Sequence, residues 1–427
     1  MRRSVVLTGV IVGVCLLGTL GLQGVAACNT DDYTHPVVKD LCRLINDYGW
    51  EGEFNEAIAV AQSYGVYDWP ELQSWTDYTS YLEWLDGDLL EWVPRQQGDS
   101  RNVYEMIVRF YFIVDQSPVK ELQSPIRPGP QALSPLSDWM VDLANAWGMF
   151  LDTPASATHV ESFKDDIWFN WDEYMPPPAS FLPDDEWRAY RTFNQFFARH
   201  VKPGMRPVAG LCDDRVIVSP ADSTFVGWWQ VNERSQIYVQ ETEPLLHVKG
   251  LKWSIEQLPE GSPYADRFRG GIFAHHFLNS YDYHRWHAPV GGKVLEARVI
   301  QGQVYLDVVT ERVIVEENGA EREVTVISAV DGTGYQFLQT RGLIIIDSPI
   351  GLVACLPMGM AQVSSVVITA EEGVTLRKGE ELGYFQFGGS DFVLVFERAS
   401  NVDLTWQPGV HKQQGQAIGR AYPYGLE

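Results

Sequence analysis

The chain has 427 residues, of which 45% are hydrophobic and 21% charged, a composition typical of folded globular proteins and not of disordered chains. Its formal net charge of −24 argues against nucleic acid as a partner, because phosphate contacts need clustered Lys and Arg, and gives no general attraction to an anionic membrane surface. The length allows two domains or one large one.

The N-terminus has the layout of a secretion signal. Arg2-Arg3 precedes an uncharged apolar run, Val5–Leu22, and small residues lead to Cys28. Val25–Cys28 is also similar to a bacterial lipobox, in which Cys28 would be acylated, and an ordinary signal cleavage would fall at the same bond. We therefore expect residues 1–28 to be a signal peptide or lipoprotein signal, and the protein to be exported or anchored to a membrane through its N-terminus. Glycines within the apolar run disfavour the third reading, an uncleaved span.

The five cysteines are scattered along the chain without a CxxC pair. This spacing predicts neither a disulfide framework nor a metal site. We interpret Cys42, Cys212 and Cys355 as buried free thiols by default, and one bridge among these three stays open.

Residues 29–185 are predicted to form a helical N-terminal domain. The region is acidic, rich in Trp and Tyr, and broken by proline clusters that end helices. Apolar residues recur every three or four positions, as at Leu136, Met140 and Leu143, which indicates amphipathic helices. The predicted helices are Val37–Tyr48, Asn55–Tyr64, Trp75–Leu90, Val103–Val114 and Leu136–Phe150.

Residues 186–427 are predicted to form a β-rich domain, so the fold class is α+β. After a Phe-rich helix that ends at Lys202-Pro203-Gly204, short apolar runs alternate with Gly, Pro, Asp and Asn. The predicted strands are Val216–Val218, Gln236–Val239, Gly271–Phe273, Lys293–Ile300, Val304–Thr310, Glu323–Ser328, Leu343–Ile346 and Val363–Ile368.

Gly388-Gly389-Ser390 lies between two further strand-like runs, Leu382–Phe387 and Phe392–Phe396. Taken alone, the tripeptide would be a glycine-containing turn with a polar tip. Its two glycines also let the backbone bend and be approached closely.

Four blocks of the β-rich region resemble the phosphatidylserine decarboxylase family. They are KGEELGYFQFGGS, ending at Ser390; YRTFNQFFARHVKPGMRP, from Tyr190; VIVSPAD, ending at Asp222; and YDYHRWHAPV, from Tyr281. In addition, the helical region loosely resembles the N-terminal extension of fungal tryptophan decarboxylase relatives. The resemblance implies a self-processing α-decarboxylase.

The resemblance also implies the site residues. Ser390 would attack the carbonyl of Gly389, the chain would be cut between residues 389 and 390, and Ser390 would become a pyruvoyl cofactor, with Gly388 and Gly389 giving the backbone room. His287, oriented by Asp222, would be the base of this step, and His284 an acid/base or orienting group. The chains 1–389 and 390–427 would remain associated, and no PLP lysine or metal site is expected. His275-His276 is interpreted as structural.

Two positions depart from the family pattern: Ser223 stands where glycine is usual, and Asp391 follows the serine where Thr or Ser is common. The first affects the turn after Asp222, and the second places a charge beside the scissile bond. The expected reaction converts phosphatidylserine to phosphatidylethanolamine. The alternatives are decarboxylation of a free aromatic L-amino acid, and an unprocessed relative without catalytic activity.

Overall fold

The structure, a computed structural model, describes residues 27–95, 103–129, 131–164, 169–175, 190–238, 252–317, 319–329, 335–359, 365–387 and 390–423. Most of the predicted signal, residues 1–26, lies outside the described residues, as do Gly388 and Gly389.

The α+β prediction is confirmed: helices occupy the N-terminal region and strands dominate the rest. The helices are α1 (Pro36–Tyr48), α2 (Glu51–Ser63), α3 (Tyr78–Trp84), α4 (Val103–Val114), α5 (Pro135–Leu151) and α6 (Phe193–Phe197).

Local sequence explains where the helices begin and end. Ser134 caps α5 by accepting from the backbone of Ser137, and Pro135 takes the first helical position, where no N–H is needed. α1 is capped by Gly49, whose positive φ of 69° lets its backbone N–H donate to the carbonyl oxygen of Ile45. The helix predicted over the Phe-rich block is shorter than expected, because α6 ends at Phe197 and the chain is extended again by His200.

The strands are β1 (Tyr174–Met175), β2 (His200–Val201), β3 (Val216–Val218), β4 (Ser223–Gln230), β5 (Gln236–Tyr238), β6 (Lys252–Ser254), β7 (Ile272–Leu278), β8 (Arg285–His287), β9 (Gly292–Ile300), β10 (Val308–Glu317), β11 (Ala320–Ala329), β12 (Arg341–Ser348), β13 (Gly351–Gly359), β14 (Val366–Ile368), β15 (Thr375–Leu376), β16 (Glu381–Phe385), β17 (Ser390–Phe396), β18 (Val402–Leu404), β19 (His411–Lys412) and β20 (Ala417–Ala421).

A large antiparallel sheet organises the β-rich region. Among the described strands, eight follow the order β15-β9-β12-β13-β17-β7-β4-β19, and three others form a sheet in the order β14-β16-β8. β17 is a central strand, paired with β13 on one side and β7 on the other. β16 and β17 therefore belong to different sheets.

One continuous core joins the helical region to the large sheet. It includes Trp147 of α5, Phe193 and Phe197 of α6, and Phe392 and Leu394 of β17. A second cluster, with Val393 and Val395, lies on the other face of β17, as alternation along a strand requires. The proposed division at residues 185/186 falls among residues outside the described ranges and stays a prediction.

Cys28 forms a disulfide with Cys42, and this corrects one prediction. The free-thiol interpretation of Cys42 is wrong, because helix periodicity carries no information about its partner on the preceding segment. The disulfide occupies the Cys28 sulfur, which a lipoprotein thioether would also need. Cys212 is exposed and Cys355 is buried, and both are free thiols.

None of the helices in the described ranges is long and apolar enough to cross a bilayer.

Candidate active site

Asp222 is a buried carboxylate held by an arginine. Both of its oxygens accept from Arg206, with Nε 2.9 Å from Oδ1 and Nη2 2.6 Å from Oδ2, and Oδ1 also accepts from the backbone N–H of Gln414 at 2.8 Å. The side chains of Arg206 and Asp222 are 4% and 5% exposed. Burial alone would lower the pKa of Arg206, but the hydrogen bonds to Asp222 raise it, so the arginine stays charged.

The hydrogen bonds of Asp222 go to Arg206 and Gln414, because a carboxylate buried this deeply is paired with a cation. Its expected role, to orient His287, stays a prediction. Arg206 belongs to the block that begins at Tyr190, for which the sequence suggested no partner. The missed signal was that an arginine in one family-like block could pair with the acidic residue of another.

His287 is held by the backbone. Its Nδ1 donates to the carbonyl oxygen of Gly379 at 2.9 Å, and since a carbonyl can only accept, Nδ1 carries the proton. Burial lowers the pKa of His287, although Gly379 and the carboxylates of Glu381 and Asp222 oppose this, so the ring is neutral at pH 7. Nε2 is therefore the basic nitrogen, as a proton acceptor requires.

Gly379 can hold this histidine only as a glycine. Its φ is +83°, and a Cβ at this position would meet the side chain of Val208. Its own N–H donates to the carbonyl of Ala288 at 2.8 Å, which ties it to the residue after the histidine. The KGEELG block thus positions His287 as well as leading to Ser390.

Tyr283 is a second contact of His287 that the sequence did not reveal. Its hydroxyl lies 3.1 Å from Nε2 of His287. Burial raises the pKa of Tyr283, so the phenol stays protonated and donates to that nitrogen. A substrate or serine hydroxyl that uses His287 as its base must take the place of this donor.

Backbone contacts bring the Asp222 and His287 segments together. The N–H of His287 donates to the carbonyl of Pro220 at 2.7 Å, two residues before Asp222. The departure at Ser223 is accommodated at the start of β4, where the residue is fully buried and its hydroxyl lies 3.3 Å from the carbonyl oxygen of Ala221. The turn is therefore stabilised by the serine and not opened by it.

His284 is fully buried beside the aromatic core. Its Nδ1 donates to the carbonyl of Asp282 at 2.9 Å, and its ring centroid lies 3.9 Å from that of Phe197. Two residues before Gly389, Phe387 packs on Trp147 with centroids 5.0 Å apart. The same Phe387 lies 6.0 Å from Phe197, so His284 and the lead-in to the predicted cut share one aromatic cluster beneath α5 and α6.

Ser390 stands at the first position of β17. Its backbone pairs with Gly359 of β13 and Leu278 of β7. The predicted scissile carbonyl belongs to Gly389 and, with Gly388, lies outside the described residues.

A cavity of about 530 Å³ opens between α6, β8 and β16. Its lining includes Asn194, Arg199, Arg285, Tyr384 and Gln386. Arg285 pairs with Glu381 at 3.0 Å and lies over the ring of Tyr384, whereas Arg199 donates to the carbonyl of Tyr281 at 2.7 Å. The cavity therefore reaches the strand that leads to Gly388, and it is of the size that small-molecule sites have.

No group of three His, Cys, Asp or Glu side chains in the described ranges is placed to hold a metal ion.

Comparisons with known proteins match the β-rich region. The family model for phosphatidylserine decarboxylase matches residues 193–420. Phosphatidylserine decarboxylase proenzyme 3 of Schizosaccharomyces pombe is 32% identical over 251 residues, which are 58% of this chain and 22% of that protein. The phosphatidylserine decarboxylase proenzyme of Fusobacterium nucleatum is 30% identical over 268 residues, 62% of this chain and 73% of that protein.

A fungal protein, decarboxylase iboD of Amanita muscaria, is 30% identical over 276 residues, 60% of this chain and 75% of that protein. The matched part thus spans about a fifth of the yeast protein but about three quarters of the bacterial and Amanita ones. The family model covers more than half of the chain and includes Asp222, His284, His287 and Ser390. The chain belongs to the phosphatidylserine decarboxylase family.

Proposed function

We propose that the chain is a self-processing, pyruvoyl-dependent carboxy-lyase, cut between Gly389 and Ser390. One observation carries this proposal: His287 is held as a neutral base, with Nδ1–H on the carbonyl of Gly379 and Nε2 as the acceptor. The family supports the reaction class, since its named members include proenzymes.

The processing step needs a base and a bendable backbone. His287 Nε2 accepts the proton of the Ser390 hydroxyl, whose oxygen attacks the carbonyl carbon of Gly389 and converts the amide to an ester. Elimination removes the Cα proton of residue 390 and breaks its Cβ–O bond, which forms the Cα=Cβ double bond and leaves Gly389 as a carboxylate. The dehydroalanine at position 390 then takes up water and releases ammonia, which leaves a pyruvoyl group at the head of residues 390–427.

In this mechanism Asp222 acts on His287 through charge and not through a hydrogen bond. Its carboxylate raises the pKa of His287 against the effect of burial, and Arg206 holds that carboxylate in place. His284 is buried against Phe197 near the lead-in to the proposed cut, and in this mechanism it would orient the substrate or return a proton after CO₂ leaves.

The position of residue 390 fits a pyruvoyl group made from the chain itself. It is the first residue of a strand paired on both sides, so the strand can stay in its sheet after the preceding bond is cut. The pyruvoyl group supplies an electrophilic carbonyl that takes up the electrons released as CO₂ leaves.

The proposed substrate is phosphatidylserine, converted to phosphatidylethanolamine. The runner-up is a free aromatic L-amino acid, which the cavity at α6, β8 and β16 favours because about 530 Å³ suits a small molecule. Assaying CO₂ release from phosphatidylserine in detergent micelles and from L-tryptophan separates the two.

The test of the proposed function is a set of serine variants followed by SDS gel and intact mass. The wild type should give two chains, the smaller beginning at residue 390 and blocked to N-terminal sequencing because a pyruvoyl group has no amine. Ser390→Ala should stay a single inert chain. Ser348→Ala, which removes a serine at the end of β12 in the same sheet, should be cut like the wild type.

The outcomes that contradict the proposal differ from each other. A wild-type chain that stays whole and releases CO₂ would exclude the pyruvoyl mechanism. A wild-type chain that stays whole and inert would favour the unprocessed, non-catalytic relative.

We further propose that the protein is exported by its N-terminal signal without acylation of Cys28. The Cys28–Cys42 disulfide supports this, because disulfides persist mainly in oxidising compartments. Cell fractionation with non-reducing mass analysis tests it. A cytosolic chain that retains Met1, or a diacylated Cys28, would contradict it.

A further inference from the structure

A buried contact between a histidine and a carboxylate joins β17 to β7 one residue beyond the proposed cut. Asp391 and His275 are both fully buried, and Nε2 of His275 lies 2.9 Å from Oδ1 of Asp391. In the antiparallel register Asp391 stands opposite Phe277, and His275 opposite Val393, so the two residues are diagonal neighbours on one face of the sheet. This is the face of the second core cluster, away from Phe392 and the helices.

A glutamine completes the environment of the carboxylate. Gln336, in a 3-10 turn at Tyr335–Phe337, is fully buried and its Nε2 lies 3.3 Å from Oδ2 of Asp391. Each oxygen of Asp391 is thus contacted from a different element, β7 on one side and the turn on the other. A carboxylate at this depth would be strongly unfavourable without such partners.

The two sides of this cluster fall on different chains if the protein is cut as proposed above, and the inference rests on that function. His275 and Gln336 precede residue 389, whereas Asp391 is the second residue of the chain 390–427. Cleavage turns residue 390 into a chain end, and strand ends fray unless side chains hold them.

We propose that His275 and Gln336 are positioning residues that clamp Asp391, and so hold the pyruvoyl end of β17 in place after cleavage. The clamp lies on the face of the sheet opposite to Phe392, so it acts through the backbone of β17 and not by touching the substrate. Asp391, a departure from the usual family residue, thereby gains a role that needs His275 on the neighbouring strand.

The opposite end of β17 offers a matched control. Glu397 accepts from Arg267 at 2.7 Å, and this pair also joins the small chain to the large one. Arg267 is 58% exposed, so the pair is open to water. Glu397→Gln removes an interchain contact one residue beyond the end of β17 and leaves the clamp residues unchanged.

The experiment compares purified full-length wild type, Asp391→Asn, His275→Gln, the double variant and Glu397→Gln. Hydrogen–deuterium exchange of the first peptide of the small chain measures fraying, and kcat is taken per mole of pyruvoyl with phosphatidylserine micelles and L-tryptophan. In both single variants we expect exchange of this peptide to be at least about tenfold faster, because the strand end frays. We expect kcat to fall by about 100-fold with little change in KM, because the reacting group is displaced by roughly 1 Å. The double variant should lose no more than the worse single variant, since the residues act as a pair. Glu397→Gln should match the wild type at the first peptide.

The clamp would be overturned if the single variants had the same exchange rate and kcat as the wild type. It would also be overturned if the losses of kcat in the two single variants added up in the double variant. Single variants that are not cut would also overturn it, because the clamp is assigned to the state after cleavage. An uncut wild type is a separate outcome, which removes the proposed self-processing itself.

Discussion

Replacing Arg206 with methionine tests the electrostatic arrangement at Asp222. The substitution keeps most of the apolar stem but leaves Asp222, whose side chain is 5% exposed, without its cation. Removing one partner of a buried ion pair typically costs about 3–5 kcal/mol, because the remaining charge is left desolvated. Arg206 also pairs with Glu173 at 2.7 Å, and because Glu173 is only 20% exposed, the loss of this second pair acts in the same direction. We therefore expect the free energy of unfolding to fall by about 3–5 kcal/mol.

The assay is urea unfolding followed by tryptophan fluorescence in a Ser390→Ala background, so that every variant is one uncut chain. Arg206→Met/Asp222→Asn should recover at least about 1 kcal/mol relative to Arg206→Met, because the amide carries no charge to desolvate. The control is Arg312→Met, whose guanidinium lies 3.5 Å from Glu323 in a pair exposed by 76% and 63%; we expect a loss of at most about 1 kcal/mol. A loss in Arg206→Met no larger than in the control, at unchanged m value, would refute the reasoning.

Three further outcomes are expected. His287→Ala should slow cleavage by about 10³-fold in a gel time course. Tyr283→Phe should leave cleavage at least as fast as in the wild type, because the Tyr283 hydroxyl occupies Nε2 of His287, the nitrogen that must accept the proton. Slower cleavage in Tyr283→Phe would contradict that assignment. Cys42→Ser should lower the unfolding free energy by roughly 3 kcal/mol, and dithiothreitol should destabilise the wild type but not the variant. Burial, with Asp307 nearby, raises the pKa of Asp115 from 3.8 to about 7, although Lys120 opposes the shift. Between these two pKa values the folded protein holds a proton that the unfolded chain has lost. The free energy of unfolding therefore falls as pH rises from 4 to 7, by up to about 1.4 kcal/mol per pH unit. Asp115→Asn should flatten this dependence of the melting temperature, and an unchanged slope would exclude Asp115 as its source.

The spacing of apolar residues along the sequence predicted the helices whose bounds depend on neighbouring residues. The helix at Val103–Val114 has the predicted bounds, and those of α1 and α5 differ from prediction by one residue at each changed end. The helix predicted over Trp75–Leu90 is divided into α3 and a π-helical turn at Leu85–Leu89, since the apolar period does not distinguish i+4 from i+5 bonding. β13 was missed although it is almost entirely buried, because a continuous apolar run with Gly and Pro at its end carries no period.

The site was predicted by residue identity more than by contact. The blocks that resemble the family named Asp222, His284, His287 and Ser390, and backbone contacts bring the segments of Asp222 and His287 together. The partners of these residues were not predictable from spacing: Arg206 reaches Asp222 from another block, Gly379 accepts from His287 over 92 positions, and His275 meets Asp391 across neighbouring strands. Such pairs depend on sheet register, which a single sequence leaves open.

If the chain is cut as proposed, the central position of β17 makes folding a step that cannot be repeated. While the chain is intact, β17 is covalently joined to the rest of the molecule when it pairs with β13 and β7 during folding. After a cut at residue 389, an unfolded molecule would have to reassemble by an encounter of two fragments, one of which carries the exposed apolar run Phe392–Phe396 and is prone to self-association. If the chain is cut as proposed, folding must therefore come first and cutting second, and the lifetime of the mature protein would be set by its rate of unfolding, not by an equilibrium.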